Sequence, residues 1–232
     1  MAANLEVITE NYKRITDRIA EAKAKYRSEK DEIMFLGVTK TVAPEIINHS
    51  VDLGIRNLGE NRVQEYLSKK DFYRKNVNMH FIGHLQTNKV KYIINDMVLI
   101  HSVDSMHLAA EISRQAAKAG KLQDILIEVN IGDEQTKSGI DKNSLEELVY
   151  EASELDNIRI KGLMCIPPAS DSEKYLCSMQ QIFEDMKQKK INNCSMDILS
   201  MGMSGDYENA IRYGSTCVRI GSALYGARNY NL

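Results

Sequence analysis

Apolar residues along this chain fall into two alternating kinds of stretch. In the first kind they run almost without interruption, as in 33–40, where the sequence Ile-Met-Phe-Leu-Gly-Val-Thr-Lys ends in a single lysine. Such runs predict strands that are buried on both faces, which is typical of a parallel sheet covered by helices. We predict about eight strands, at 33–40, 57–61, 79–84, 97–102, 125–130, 158–166, 197–200 and 217–221.

In the second kind of stretch, apolar residues recur every three or four positions, which predicts amphipathic helices. The clearest case is the opening segment, where Ile8, Tyr12, Ile15, Ile19 and Ala22 share one helical face. About seven further helices follow the predicted strands, near 44–54, 63–67, 89–94, 106–119, 145–155, 176–186 and 209–213. This alternation predicts an α/β fold, a single (β/α)8 TIM barrel with an extra N-terminal helix.

An open, doubly wound sheet is the alternative fold. We favour the barrel because about eight alternating units exceed what most open sheets contain. The chain also lacks the Gly-x-Gly-x-x-Gly fingerprint of dinucleotide-binding sheets. No linker, charge block or low-complexity tract interrupts the rhythm, so we expect residues 1–232 to form one domain.

Composition narrows the class of ligand. A net charge of -2 and a pI near 6.2 provide no field that would attract nucleic acid or an anionic membrane, so we expect small molecules or proteins as partners. The four cysteines form no Cys-x-x-Cys pair, which argues against a metal site and against disulfides. The sequence predicts neither a signal peptide nor a membrane span, and these features together favour a cytoplasmic protein.

Lys40 is the first candidate for chemistry. It lies at the carboxyl end of a predicted strand, which is the end where α/β barrels carry their active sites. Met34, Leu36 and Val38 project to the same side of that strand. Apolar surroundings disfavour the ammonium form, and a neutral amine can attack a carbonyl. The alternative is a lysine that leaves the strand and extends into water.

The loops after the last two predicted strands carry the candidates for an anion site. They are rich in glycine and hydroxyl residues, and the candidate residues are Ser200, Ser204, Gly221 and Ser222. Glycines let backbone amides approach a phosphate closely, and hydroxyl groups add donors. Ordinary turn residues are the alternative interpretation.

Arg219 lies inside the last apolar strand, where an unpaired guanidinium is costly. It therefore needs an anion or another acceptor, and an ion pair with Asp197 or Glu60 is the alternative to ligand binding. A lysine, a phosphate site and an arginine together suggest a carbonyl cofactor with a phosphate group. Pyridoxal 5′-phosphate has these features, with Lys40 forming the Schiff base.

Seven stretches, in order along nearly the whole chain, resemble the YggS/PROSC family of pyridoxal-phosphate homeostasis proteins. They are Val-Thr-Lys-Thr at 38–41, Gly-Glu-Asn at 59–61, His-Phe-Ile-Gly-His-Leu-Gln-Thr-Asn-Lys at 80–89, Asn-Ile-Gly at 130–132 with Lys-Ser-Gly at 137–139, Gly-Leu-Met at 162–164, Ser-Met-Gly-Met-Ser-x-Asp at 200–206 and Gly-Ser-Thr-x-Val-Arg-Ile-Gly at 214–221. The resemblance implies a barrel similar to the N-terminal domain of alanine racemase, with the cofactor on Lys40.

The resemblance also implies roles for individual residues. Arg219 would face the pyridine nitrogen and keep it unprotonated, which weakens the ring as an electron sink. Asn61 would lie close to the cofactor. The phosphate would be held by Ser200, Ser204, Gly221 and Ser222. Lys89 and Lys137 match lysines near the site, for which secondary handling of the cofactor is implied; solvated surface lysines are the alternative.

The function that the resemblance implies is a carrier that buffers and delivers pyridoxal 5′-phosphate and maintains its intracellular level, without robust catalytic activity. The alternative is an amino-acid racemase, which needs a second acid or base opposite Lys40. His84, Tyr207 and Tyr225 are candidates, but nothing in their spacing singles one out. Only six residues follow Gly226. We therefore expect no second domain of the kind that racemases use, and a monomer that meets pyridoxal-dependent apoenzymes transiently.

Overall fold

Eight parallel strands close into a barrel in which each strand pairs with its neighbours in chain order. A computed structural model describes residues 5–134, 138–168 and 170–226. The strands are β1 (Met34–Val38), β2 (Asn57–Glu60), β3 (Asn78–Phe81), β4 (Met97–Val103), β5 (Gln123–Val129), β6 (Ile158–Cys165), β7 (Cys194–Ser200) and β8 (Cys217–Ile220). The predicted (β/α)8 barrel is confirmed. The open sheet is wrong because β8 pairs with β1, where Arg219 lies beside Leu36.

Helices cover the outside of this barrel. They are α1 (Leu5–Tyr26), α2 (Pro44–Leu53), α3 (Val63–Lys69), α4 (Met106–Lys118), α5 (Leu145–Ser153), α6 (Ser172–Gln188), α7 (Tyr207–Arg212) and α8 (Ser222–Tyr225). The segment expected to be helical near 89–94 is a 3-10 helix at Thr87–Tyr92. Helix α8 was not predicted, because four residues are too few to show a helical repeat.

The extra N-terminal helix is confirmed as α1. Its buried residues are Ile8, Ile15, Ile19 and Ala22, four of the apolar positions that predicted it. The helix packs against α2, α7 and α8. Asn11 Nδ2 donates to the carbonyl oxygen of Leu224 at 3.0 Å, which attaches α1 to the short helix after β8. The helix therefore covers the junction between the first and last strands.

The strands bury two separate sets of apolar side chains. One set faces the helices and forms the larger core, which includes Ile47, Leu58 and Val218. The other fills the barrel itself in two small clusters, one around Leu36 and Val38 and one formed by Leu99, Leu126 and Met164. Burial on both faces explains why the strands read as continuous apolar runs. Among the described helices, none combines the length and apolar character needed to span a bilayer.

Candidate cofactor-binding site

Three neighbouring strands bring most of the predicted site residues to the same rim of the barrel. β1 lies between β2 and β8, so Lys40 after β1, Asn61 after β2 and Gly221 after β8 leave adjacent strands. The ends of β8 and β1 are close, since a Cβ on Gly221 would lie 3.3 Å from Val38 Cβ. Lys40 is half-buried and follows Val38 by two residues. The lysine and the glycine-containing loop therefore share one end of the barrel.

Arg219 is held in the barrel interior, where only 4% of it is exposed. Its Nη1 donates to Ser200 Oγ at 2.7 Å and its Nη2 to the carbonyl oxygen of Cys165 at 2.8 Å. The expected alternative, a pair with Asp197 or Glu60, is not what the structure shows. Asp197 instead accepts from Lys161 Nζ at 2.5 Å, and Glu60 accepts from Thr39 and Tyr73.

Ser200 connects Arg219 to two buried histidines. Ser200 Oγ lies 3.0 Å from His101 Nδ1, and His101 Nε2 lies 3.0 Å from His80 Nδ1. His80 Nε2 lies 3.3 Å from Asn57 Oδ1. These five side chains, Arg219, Ser200, His101, His80 and Asn57, form a continuous chain across the barrel that we call the interior network.

The direction of the interior network follows from its last member. Asn57 Oδ1 can only accept, so the neutral His80 carries its proton on Nε2 and accepts at Nδ1 from His101 Nε2. His101 Nδ1 then accepts from Ser200 Oγ, which in turn accepts from Arg219 Nη1. Each histidine therefore acts once as donor and once as acceptor, which requires the neutral ring.

Burial favours these neutral histidines. It lowers the pKa of His80 to about 4. The pKa of His101 is lowered well below its usual value by burial, and His80 and Arg219 act in the same direction. Since the neutral rings complete the network, Arg219 keeps one orientation across the neutral pH range.

A second group of polar residues lies at the start of α8. Ser204 Oγ accepts from the backbone N–H groups of Gly221 at 3.3 Å and of Ala223 at 3.1 Å. Ser222, the first residue of α8, is exposed. A hydroxyl that accepts two amide protons still has its own proton to donate. Ser204, Gly221 and Ser222 thus form a corner at the strand ends whose hydroxyl groups can donate hydrogen bonds to the oxygens of an anion.

The other predicted residues are placed as follows. Asn61 is half-buried, and its Oδ1 is buried with no hydrogen-bond partner among the described residues. Ser200 is fully buried, and its hydroxyl is engaged by Arg219 and His101 rather than by the corner at α8. Lys89 lies on the 3-10 helix after β3, with Nζ 5.7 Å from the centre of the Tyr92 ring. Lys137 lies outside the described residues.

Sequence reasoning missed two groups in the interior. His101 and Glu128 stand in the apolar strands β4 and β5, and both are buried. Burial and, to a lesser degree, Asp104 raise the pKa of Glu128 to about 7, while Arg219 opposes the rise. A polar residue inside a buried strand was the available signal, as it was for Arg219.

Comparison with known proteins shows the family of this chain. A family model described as "Alanine racemase, N-terminal domain" matches residues 4–229. The pyridoxal phosphate homeostasis protein of Aquifex aeolicus is 42% identical over 226 residues, which cover 95% of this chain and 98% of that protein. The chain belongs to this homeostasis family of alanine-racemase-like barrels.

Solved structures extend the family comparison. PipY of Synechococcus elongatus, solved with PLP bound, is 28% identical and superposes with a TM-score of 0.78, covering 91% of this chain and all (100%) of that chain. Alanine racemase of Clostridium difficile is 17% identical with a TM-score of 0.74, covering 96% of this chain and 58% of the racemase. The second likeness supports the fold of the homeostasis family and nothing more specific.

Proposed function

We propose that this chain binds pyridoxal 5′-phosphate covalently through Lys40 and buffers and delivers the cofactor, without turning over a substrate of its own. The observation that carries the proposal is the fixed Arg219, which occupies the barrel interior on the strand next to β1, the strand that precedes Lys40. A permanently charged, immobilised guanidinium in the barrel that carries a lysine on its rim suits a flat aromatic aldehyde with an acceptor nitrogen. The PLP-bound structure of PipY supports the same cofactor.

Two features of the chain fit this cofactor. The Ser204 hydroxyl, which accepts from the amides of Gly221 and Ala223 and keeps its own proton, and the exposed hydroxyl of Ser222 provide donors for a phosphate. The buried Oδ1 of Asn61 has no hydrogen-bond partner among the described residues, as expected of an atom that completes its bonding with a ligand. Asn61 follows β2 and Ser222 follows β8, the two strands adjacent to β1.

Each residue has a defined task in this proposal. Ser204, Gly221 and Ser222 hold the phosphate, Asn61 contacts the cofactor, and Arg219 faces the pyridine nitrogen. When bound, the cofactor supplies an aldehyde carbon that the Lys40 amine attacks with loss of water, and the addition of water reverses the bond. Ser200 acts through Arg219, because its hydroxyl fixes the guanidinium. We infer secondary handling of the cofactor for Lys89 and Lys137.

Arg219 would limit carbanion chemistry, and the surroundings of the candidate acids and bases favour a carrier over a racemase. A guanidinium does not give up its proton at physiological pH, so it cannot protonate the pyridine nitrogen and strengthen the ring as an electron sink. The candidates for a second acid or base are engaged or exposed elsewhere. Tyr225 OH pairs with Ser50 Oγ at 2.9 Å, Tyr207 lies in the outer core, and the His84 side chain is 63% exposed. An amino-acid racemase remains the alternative function.

The proposal extends to the setting of the protein. We infer that residues 1–232 act as one cofactor-binding domain, and the family match over 4–229 supports this. The net charge and the absence of a cysteine framework support a cytoplasmic location. The chain would work as a monomer that meets pyridoxal-dependent apoenzymes transiently.

Spectroscopy tests the binding. Purified protein is titrated with pyridoxal 5′-phosphate, and the visible absorbance band of a lysine-bound pyridoxal is followed before and after borohydride. The wild type is expected to form a band that borohydride abolishes, and Lys40→Ala to form none. Lys91→Ala, which removes a lysine that packs on Tyr92, is the control and should behave as the wild type. A wild type without the band would refute the proposal.

Two assays separate the carrier from the racemase. In the first, loaded protein is mixed with a pyridoxal-dependent apoenzyme while a phosphatase destroys free cofactor; a carrier should still restore activity to the apoenzyme. In the second, loaded protein is incubated with L-amino acids in deuterated water, and the α-proton signal is followed by NMR. Steady exchange with turnover would establish the racemase alternative and contradict the carrier.

A further inference from the structure

The backbone around Lys40 is held by side chains from other parts of the chain. Residues 39–42 form a four-residue turn, closed by a hydrogen bond of 3.1 Å from Val42 N to the carbonyl oxygen of Thr39. We call this segment the Lys40 turn. It begins directly after β1 ends at Val38, so the turn determines the direction in which the lysine leaves the barrel wall.

The residue before Lys40 is fixed at three of its polar groups. Thr39 N donates to the carbonyl oxygen of Gly59 at 3.0 Å, and Thr39 Oγ1 donates to Glu60 Oε1 at 2.7 Å. Lys69 Nζ, on α3, donates to the carbonyl oxygen of Thr39 at 3.1 Å. Glu60 is fully buried and also accepts from Tyr73 OH at 2.8 Å. Hydrogen bonds at its N–H, hydroxyl and carbonyl groups therefore restrain the backbone and side-chain torsions of Thr39.

The residue after Lys40 has an unusual conformation. Thr41 has a φ of 61° at the third position of the turn, where glycine or asparagine is preferred and a β-branched residue is strained. Its backbone N–H donates to Glu65 Oε1 on α3. A hydrogen bond to a carboxylate is stronger than one between neutral groups, so Glu65 can hold Thr41 in this conformation.

One lysine connects the two sides of the turn. Lys69 Nζ lies 2.5 Å from Glu65 Oε1 and 3.7 Å from Glu60 Oε1, and its side chain is only 12% exposed. Burial raises the pKa of Glu60, and Lys69 opposes that rise. The same ammonium therefore compensates both carboxylates while it binds the carbonyl of Thr39.

We propose that Glu60, Glu65 and Lys69 are positioning residues that hold the Lys40 turn, so that the Lys40 amine is directed at the cofactor aldehyde. The inference rests on the proposed function, since it concerns the same lysine. These residues act through the backbone on either side of Lys40. Fixing a nucleophile in the correct geometry accelerates its attack, because the ordering has been done before the ligand arrives.

A purely structural cluster that attaches α3 to the barrel would show the same contacts. The two interpretations differ in what they affect. A structural cluster changes the stability of the fold, whereas a positioning cluster changes the rate at which the lysine forms its covalent bond at equal stability. Thr41 provides a further distinction, since a residue that favours positive φ would replace the function of Glu65.

The test combines stopped-flow absorbance with urea unfolding. The rate constant for appearance of the lysine-bound band is measured on mixing with pyridoxal 5′-phosphate, for the wild type, Glu65→Ala and Glu111→Ala. Glu111 is a matched control, because its side chain has the same 19% exposure as Glu65 and pairs with Arg114 within α4. We expect Glu65→Ala to slow the reaction by about ten- to hundredfold, and Glu111→Ala to stay within about twofold of the wild type.

Two double variants test the mechanism. Thr41→Gly in the Glu65→Ala background is expected to recover most of the rate, because glycine adopts positive φ without help from a carboxylate. Thr41→Ala in the same background should recover none of it. If Glu65→Ala does not fold, Thr39→Val and Thr39→Ser replace it; Thr39→Val should be slower, since only serine keeps a hydroxyl for Glu60.

The outcomes separate the two proposals. If the wild type links to Lys40 but Glu65→Ala reacts as fast as Glu111→Ala, the positioning inference is wrong and the proposed function stands. Equal recovery by Thr41→Ala and Thr41→Gly would also overturn the inference. If the wild type forms no band at all, the proposed function itself fails.

Discussion

The two sides of the candidate site are held in place by different kinds of side chain. On the β8 side, the interior network holds Arg219 with uncharged partners that are buried inside the barrel. On the β1 side, the Lys40 turn is held by charged groups, the carboxylates of Glu60 and Glu65 and the ammonium of Lys69. This turn contains a strained threonine, Thr41. This contrast suits the proposed function, in which Arg219 would set where the ring lies and Lys40 would make and break the bond.

The comparison predicts that variants of the interior network lose stability, whereas relief of strain in the Lys40 turn gains it. The largest loss is expected for Arg219→Ala. It leaves Ser200, the Cys165 carbonyl and the Glu128 carboxyl without the guanidinium, so unfolding should cost about 3–5 kcal/mol less than in the wild type. Urea unfolding at pH 7 measures this. Arg159→Ala removes an arginine whose side chain is 45% exposed and should change little; an equal loss in both would contradict the account.

His101→Leu should have the next largest effect. The leucine leaves the proton of the Ser200 hydroxyl without an acceptor and His80 Nδ1 without a donor, for a loss of about 2–4 kcal/mol. Acid should act in the same sense on the wild type. The pKa of His80 is depressed to about 4 from 6.5, so its contribution is present above pH 6.5 and is lost as pH falls towards 4. His84→Leu, at a 63% exposed side chain, is the control.

Glu128→Gln should have a smaller effect that depends on pH. The pKa of Glu128 is raised to about 7 from 4.5, so its contribution to stability is present below pH 4.5 and is lost as pH rises through 7. The neutral glutamine avoids this loss. Unfolding at pH 8 should therefore cost about 1–3 kcal/mol more in the variant than in the wild type, and the difference should vanish near pH 4. A difference independent of pH would contradict the assignment.

Thr41→Gly should show the smallest change, in the opposite direction. Because glycine adopts the positive φ of this position without strain, the variant should be about 1 kcal/mol more stable than the wild type. Thr87→Gly, at a position without positive φ, serves as the comparison and should lose stability. Thermal unfolding of both variants at the same pH gives the two signs, and a loss in Thr41→Gly would mean that the turn is not strained.

The sequence singled out Arg219 and Lys40 as candidate site residues but not the residues that hold them in place. Both residues can be recognised from the sequence alone, because a cation in or directly after an apolar strand is unusual. His101 and Glu128 carry a related signal, since each is a polar residue inside an apolar strand. Their partners, however, come from other strands and depend on the register, which the sequence does not show. The hydroxyl of Ser200 illustrates this: its resemblance to a phosphate-binding position says nothing of its place between Arg219 and His101.

The Lys40 turn was harder to predict for a related reason. Glu60, Glu65 and Lys69 are ordinary charged residues in the sequence, typical of a strand end and of a solvated helix face. Only the pairing of β2 with β1 and the packing of α3 beside the end of β1 make them partners of Thr39 and Thr41. Helix α8, which follows Gly221 in the candidate anion site, was missed because it is a single turn long.

The most direct test of the central claim is to map the lysine that carries the cofactor. Protein loaded with pyridoxal 5′-phosphate is reduced with borohydride, digested and analysed by mass spectrometry. The account predicts that the phosphopyridoxyl mass is found on the peptide that contains Lys40 at one equivalent per chain, and that Lys40→Ala carries none there. A label spread over exposed lysines such as Lys91 and Lys118, with Lys40 unmodified, would contradict it.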